Sequence, residues 1–294
     1  MKGITELLED KKVLISDGAW GTQLAARGLQ AGECPEKWNL DRPDEVKAVA
    51  WAYVDAGSDV IITNTFGGTR LKLAKAGLDD KVSEVNRVGA SISKEAAEGK
   101  ALVFASVGPT GEFMAPLGTI TEAEMVACYA EQVAALVDGG ADGIVLETFA
   151  DLAETMAALK AVRENSALPV VASMTFESGP GGFATMMGVK PEQAAAELGA
   201  AGADLVGSNC GSGIENMIQV ARLMRSATSL PLWIKSNAGL PELVAGETVF
   251  RETPEEMARH FAELVEAGAG VIGGCCGTTP EHIRLLVAER DKMV

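Results

Sequence analysis

Four stretches of this chain repeat one another: Ala56-Gly57-Ser58-Asp59-Val60-Ile61-Ile62, Gly140-Ala141-Asp142-Gly143-Ile144-Val145-Leu146, Gly202-Ala203-Asp204-Leu205-Val206 and Gly268-Ala269-Gly270-Val271-Ile272. Each sets a helix-ending glycine, one to three short residues and then an apolar strand in sequence. A chain that returns to this junction is assembled from βα units. Apolar runs place strands at Lys12–Asp17, Asp59–Phe66, Ala101–Val107, Gly143–Phe149, Pro169–Phe176, Asp204–Cys210, Pro231–Asn237 and Gly270–Cys275. Helical periodicity fills the intervals, at Pro43–Asp55, Val82–Ala97, Thr121–Val137, Asp151–Arg163, Pro191–Ala200, Ile214–Arg225, Pro254–Glu266 and Pro280–Arg290. Proline opens several of these helices, where its missing N–H does no harm. Eight strand–helix pairs in 294 residues predict an α/β protein, a (β/α)8 TIM barrel forming a single domain over residues 1–294. A doubly wound open sheet is the alternative. No linker or composition break marks a second domain.

In such a barrel the chemistry sits on the loops that follow the strands. Gly273-Gly274-Cys275-Cys276-Gly277-Thr278-Thr279-Pro280 follows the eighth strand, with Thr279 as helix cap and Pro280 at the first helical position. Cys210 ends the sixth strand in the same glycine-flanked context. Three thiols at one barrel end make a metal site. A closed structural zinc site needs a fourth ligand at short spacing, and none is visible, whereas three protein ligands and an open position are the pattern of a catalytic zinc. Soft thiolates select zinc. Three of them leave the centre with a net charge of −1, poor at activating water and suited to holding a substrate thiol as a reactive thiolate. The site therefore suggests alkylation of a thiol. Cys34 and Cys128 read as buried, inert cysteines.

Other strand-end residues narrow the substrate. Asp17 and Glu147 each follow an apolar strand, and two carboxylates near a thiolate-binding metal suit an ammonium group. Backbone N–H groups of the turn Gly18-Ala19-Trp20-Gly21 suit a carboxylate. Ammonium, carboxylate and thiol together describe an amino acid with a sulfhydryl side chain. Asn237, in a glycine-rich loop, is the asparagine expected to face the metal, while Asn64 and Asn209 read as satisfying loop backbone. His260 and His282 lie on outer helices as solvent-facing or capping residues. The loops Glu177–Lys190 and Glu112–Ile120 exceed a simple connection, and the former, with Phe183, Met186 and Met187, reads as a lid or docking loop.

A net charge of −16 with no basic patch argues against nucleic acid. No apolar run reaches the roughly 18–20 residues of a membrane span. An N-terminus with Glu6, Glu9 and Asp10 lacks a signal-peptide pattern. These features predict a cytoplasmic protein with reduced thiols.

Asp17-Gly18-Ala19-Trp20-Gly21-Thr22, Thr63-Asn64-Thr65-Phe66, Glu147-Thr148-Phe149, Gly207-Ser208-Asn209-Cys210, Asn237-Ala238-Gly239 and the double-cysteine motif, in this order, resemble the homocysteine S-methyltransferases. They look most like the homocysteine-binding barrel of cobalamin-dependent methionine synthases. The resemblance implies a zinc barrel with Cys210, Cys275 and Cys276 as ligands and homocysteine sulfur in the fourth position. It implies Asp17 and Glu147 at the substrate ammonium and the backbone of Gly18, Ala19 and Trp20 at its carboxylate. In some relatives the asparagine matching Asn237 approaches the metal before substrate arrives. Trp20 stands where a methionine is frequent, and Ser236 where a proline is.

The expected reaction is methylation of homocysteine to methionine. Thr63-Asn64-Thr65-Phe66 followed by Gly67-Gly68-Thr69-Arg70 resembles the methionine synthase barrel. Small cationic donors need an aromatic or carboxylate pocket, and aromatics make up only 5% of the chain. Methylcobalamin on a separate corrinoid protein is therefore the expected donor, with S-methylmethionine, betaine or another thiol acceptor as alternatives. A phosphate-binding lyase leaves the cysteines unexplained, with Lys235 its only lysine at an interior strand end. A non-enzymatic zinc protein is the third reading.

Overall fold

The computed structural model describes residues 3–244 and 247–293. Eight parallel strands form its centre: β1 (Leu14–Ile15), β2 (Val60–Ile62), β3 (Leu102–Val107), β4 (Gly143–Phe149), β5 (Val170–Met174), β6 (Leu205–Cys210), β7 (Leu232–Ser236) and β8 (Ala269–Gly274). Their spatial order is β1-β8-β7-β6-β5-β4-β3-β2, and a parallel bridge from Ser16 to Val60 joins the two ends into a barrel. The predicted helices stand outside. The seventh is broken at His260 into Pro254–Arg259 and Phe261–Glu266.

The repeated junction has a physical cause. Gly57, Gly140, Gly202 and Gly268 have φ of 96°, 86°, 100° and 97°, the left-handed conformation that ends a helix without a Cβ penalty. The aspartate that follows in three of the repeats binds the neighbouring strand. Asp59 accepts Ile15 N–H, Asp142 accepts Val103 N–H and Asp204 accepts Val170 N–H, each at 2.8 Å. Each carboxylate also pairs with a cation: Asp59 with Lys11 and Arg290, Asp142 with Lys94, Asp204 with Arg163. The fourth repeat has Gly270 in the aspartate position. These rivets lie at the N-terminal end of the barrel, away from the strand-end loops.

The interior is packed with large side chains. Phe104 on β3 and Trp233 on β7 stack across it with ring centroids 5.9 Å apart, and a side chain on Gly143 would run into the Phe104 ring. Some strands are shorter than predicted. β2 stops at Ile62 because Thr63 and Thr65 continue the contact to β3 through their hydroxyls: Ser106 N–H donates to Thr63 Oγ1 at 3.0 Å, and Thr65 Oγ1 donates to Ser106 O at 2.7 Å.

The long loop after β5 holds a hairpin, Glu177–Gly179 with Gly182–Ala184. A second hairpin, Glu242–Val244 with Glu247–Val249, follows β7 and has no counterpart in the sequence reading. Cys34 and Cys128 are half-buried rather than fully buried. His260 is paired with Glu263, while His282 is buried as a cap: its Nδ1 accepts Thr279 N–H at 3.1 Å and its Nε2 lies 3.2 Å from Glu252 O. Among the described residues no helix is long and apolar enough to cross a membrane.

Candidate active site

Cys210, Cys275 and Cys276 meet at the C-terminal mouth. One ligand atom from each lies within 4.8 Å of the others, and Cys210 Sγ is 3.1 Å from Cys275 Sγ. Local backbone makes this possible. Cys210 closes β6 with φ 64°, which turns its side chain from the ladder toward the mouth. Adjacent residues in a strand point to opposite faces, so Cys275 and Cys276 share a face only because the strand ends at Gly274. A turn follows, closed by Thr278 N–H to Cys275 O at 3.1 Å. Thr278 Oγ1 donates to the same carbonyl at 2.8 Å and accepts Ala19 N–H at 3.0 Å. A Cβ on Gly274 would collide with the Thr278 side chain, and one on Gly18 would lie 2.7 Å from its Oγ1. The glycines flanking both motifs thus let the loops after β1 and β8 interlock.

Asn209 does more than satisfy loop backbone. Its Oδ1 accepts Thr148 N–H and Ser173 Oγ–H, both at 2.8 Å, and its Nδ2 donates to Thr148 Oγ1 at 2.7 Å. The same amide lies 3.6 Å from Cys210 Sγ and 3.8 Å from Cys275 Sγ, an N–H donor to both sulfurs. Asn237 donates to Gly211 O at 2.8 Å, and its Oδ1 is buried without a partner among the described residues. Asn64 serves the loop, donating to Pro35 O and Asn39 Oδ1.

A cavity of about 320 Å³ opens above the sulfurs. Gly18, Ala19, Trp20, Glu36, Asn64, Phe66, Ser106, Glu147, Lys235 and the three cysteines line it. Glu147 accepts Ser106 Oγ–H at 2.5 Å, and burial raises its pKa to about 7 against the opposing pull of Lys235. Asp17, fully buried, faces Lys235 Nζ at 2.6 Å. Its other oxygen accepts Trp20 Nε1–H at 2.9 Å and Ile62 N–H at 2.8 Å. The structure therefore gathers Glu147 and the three thiols around the cavity and sets Asp17 behind it. Burial works against the charge on Lys235, but Asp17 and Glu147 outweigh it and keep the ammonium protonated. The three thiols ionise as a unit. The neighbouring Cys210 and Cys275 thiols hold Cys276 well below the usual thiol range, while Cys210 is held well above it.

Sequence reading undervalued Lys235, Glu36 and the amide of Asn209. A lone lysine in a strand carries no signal until its partner, 218 positions away, is placed beside it. Glu36 looks like any loop carboxylate, yet it is buried and accepts Gly67 N–H at 2.6 Å at the cavity wall. Asn209 was legible only as the neighbour of a cysteine.

Three soft donors and a half-satisfied carboxylate gather at the C-terminal mouth of a (β/α)8 barrel, a donor set that could hold a soft metal beside a small polar ligand. The chain belongs to the homocysteine S-methyltransferase family, whose profile matches residues 14–289. It is 33% identical to methionine synthase of Mycobacterium tuberculosis over an alignment of 313 residues, covering 97% of this chain and 25% of that protein. The Mycobacterium leprae methionine synthase gives 33% over 307 residues with the same coverage. The chain thus spans about a quarter of the length of these relatives. Among solved structures it is similar to the homocysteine methyltransferase MmuM from Escherichia coli in metallated form, at TM-score 0.81 and 25% identity, covering 96% of this chain and 98% of that one.

Proposed function

We propose that this protein transfers a methyl group to the thiol of homocysteine, giving methionine, with zinc held by Cys210, Cys275 and Cys276. The observation that carries the reading is the convergence of three cysteine sulfurs within 4.8 Å on a cavity that Glu147 also lines. The donor set fits the metal: three thiolates prefer soft ions, and the amide of Asn209 aimed at two of the sulfurs is an outer-shell support of the kind that tunes such ligands. Zinc, when bound, supplies a soft Lewis acid that keeps the acceptor sulfur as a thiolate near neutral pH.

The chain's own residues do the rest. Glu147 receives the acceptor ammonium. The turn at Gly18–Trp20 receives its carboxylate, with the Ala19 amide already committed to Thr278. The stem of the acceptor then lies between Trp20 and Phe66, and its sulfur points to the cysteines. As the new S–C bond forms, the bond between the methyl carbon and its donor breaks, and that electron pair leaves with the donor. Reduced thiols of this kind suit a cytoplasmic setting.

For the donor we infer methylcobalamin presented by a separate corrinoid protein. The loops around the mouth support a docked partner. Phe113 and Leu117 after β3, Met186 after β5 and Leu240 and Leu243 after β7 are all more than half exposed, at 51%, 68%, 87%, 61% and 79%. Phe183, by contrast, packs against the core. One observation favours a small cationic donor such as S-methylmethionine or betaine: Trp20, Phe66 and Glu36 line the same cavity. The test supplies free methylcobalamin, a methylated corrinoid protein, S-methylmethionine and betaine in parallel to the zinc-loaded protein with homocysteine, and follows methionine. Faster turnover with either small cation rejects the cobalamin donor, and no methionine from any donor rejects the reading as a whole.

A further inference from the structure

Asp17 has no free valence. Its Oδ1 accepts Lys235 Nζ at 2.6 Å and Ser16 Oγ at 3.2 Å. Its Oδ2 accepts Trp20 Nε1 at 2.9 Å and Ile62 N at 2.8 Å. Two carboxylate oxygens offer about four acceptor sites, and four internal donors fill them. The pair is buried, with side-chain exposures of 2% for Lys235 and 0% for Asp17. It forms between strands that are not neighbours. β8 runs between β1 and β7, and the residue in register with Lys235 is Gly273, which carries no side chain. Glu147 differs. It lines the cavity, as Lys235 also does, but among the described residues only Ser106 donates to it, through Oε1.

We propose that Lys235 is a positioning residue that occupies Asp17 as a built-in ammonium, so that an amino-acid acceptor is recognised through Glu147 alone. This rests on the reading of the acceptor as an amino thiol. The lysine already stands where a second carboxylate would otherwise receive the substrate's ammonium. It also offsets one negative charge beside a cluster of thiols. Glu147 is then the single point at which the protein distinguishes a thiol with an α-ammonium from one without.

The test compares binding of homocysteine and 4-mercaptobutanoate, which lacks the amino group, to the zinc-loaded protein by calorimetry. The unchanged protein should prefer homocysteine by at least about tenfold, the scale of a charge-assisted hydrogen bond. In Glu147→Gln the two thiols should bind within about twofold of each other. Removing Asp17 alone would strand a buried cation, so the paired change Asp17→Asn with Lys235→Met is used instead, and it should keep the preference. Lys235→Ala frees one oxygen of Asp17 and should widen the preference, whereas a merely structural role would weaken both thiols alike. A preference that survives Glu147→Gln, collapses in the paired variant or stays unchanged in Lys235→Ala overturns the inference. Equal binding of both thiols to the unchanged protein overturns it too, and leaves the methyltransferase reading standing. Failure of homocysteine to bind overturns that reading and this inference together.

Discussion

Asn209 grips Thr148 twice, accepting its backbone N–H at 2.8 Å and donating to its hydroxyl at 2.7 Å. The contact ties the end of β4, which carries Glu147, to the residue before Cys210. Thr148 holds a φ of 66°, and Cys210 one of 64°, so two left-handed residues are locked side by side. A carboxylate and a sulfur are fixed relative to each other by one side-chain amide.

Asn209→Ala should therefore loosen the metal without removing a ligand. Outer-shell partners of metal ligands are worth roughly 10–100-fold in affinity, and a loss of that size is expected. Competition with a chromophoric chelator measures it. An unchanged zinc affinity would show that the amide supports only the loop.

Cys276→Ala should abolish most zinc binding and all methyl transfer, while thermal unfolding remains cooperative. The rivets at Asp59, Asp142 and Asp204 lie at the opposite end and need nothing from the sulfurs. Cys34→Ser and Cys128→Ser are the controls and should keep about one zinc per chain. Full zinc in Cys276→Ala would remove the cluster as the metal site.

Glu147 gives a pH signature in the metal-free protein. Its folded pKa, raised by burial to about 7, exceeds the ordinary carboxyl value of 4.5, so the folded state holds a proton that the unfolded chain releases. Its contribution to stability is fully present below the ordinary value and is lost as pH rises through about 7. Glu147→Gln, always neutral, should therefore raise the Tm more at pH 8 than at pH 5. Equal shifts at both values would mean the carboxylate is ionised throughout.

At the other end of the barrel, Asp59→Ala should cost about 3–5 kcal/mol in denaturant unfolding, because it strands a buried cation. The Arg290 side chain is only 11% exposed, whereas Lys94, the partner of Asp142, is 32% exposed. Asp142→Ala should accordingly cost less. Equal costs would mean that the strand N–H bonds, which both aspartates accept at 2.8 Å, decide the effect, and the reverse order would contradict the burial argument.

The barrel was legible because its junctions repeat. A left-handed glycine and an aspartate that binds the preceding strand are requirements of one junction, and such requirements leave marks on sequence. The cysteines were legible because they sit where strands end. What the chain conceals is what depends on distant pairing. Lys235 means nothing apart from Asp17, and in the second hairpin Leu243 and Val244 are both exposed, with no alternation toward a core. The split at His260 lies inside a periodic run that reads as one helix.

The division of the barrel into a riveted floor and a separate mouth bears on how such a protein changes over generations. Substitutions around Glu36, Asn64, Phe66 and Glu147 alter what enters the cavity, while the aspartate rivets that hold the strands together stay out of reach of those changes. Selection can then try new acceptors or new donors one residue at a time, on a frame that tolerates the failures.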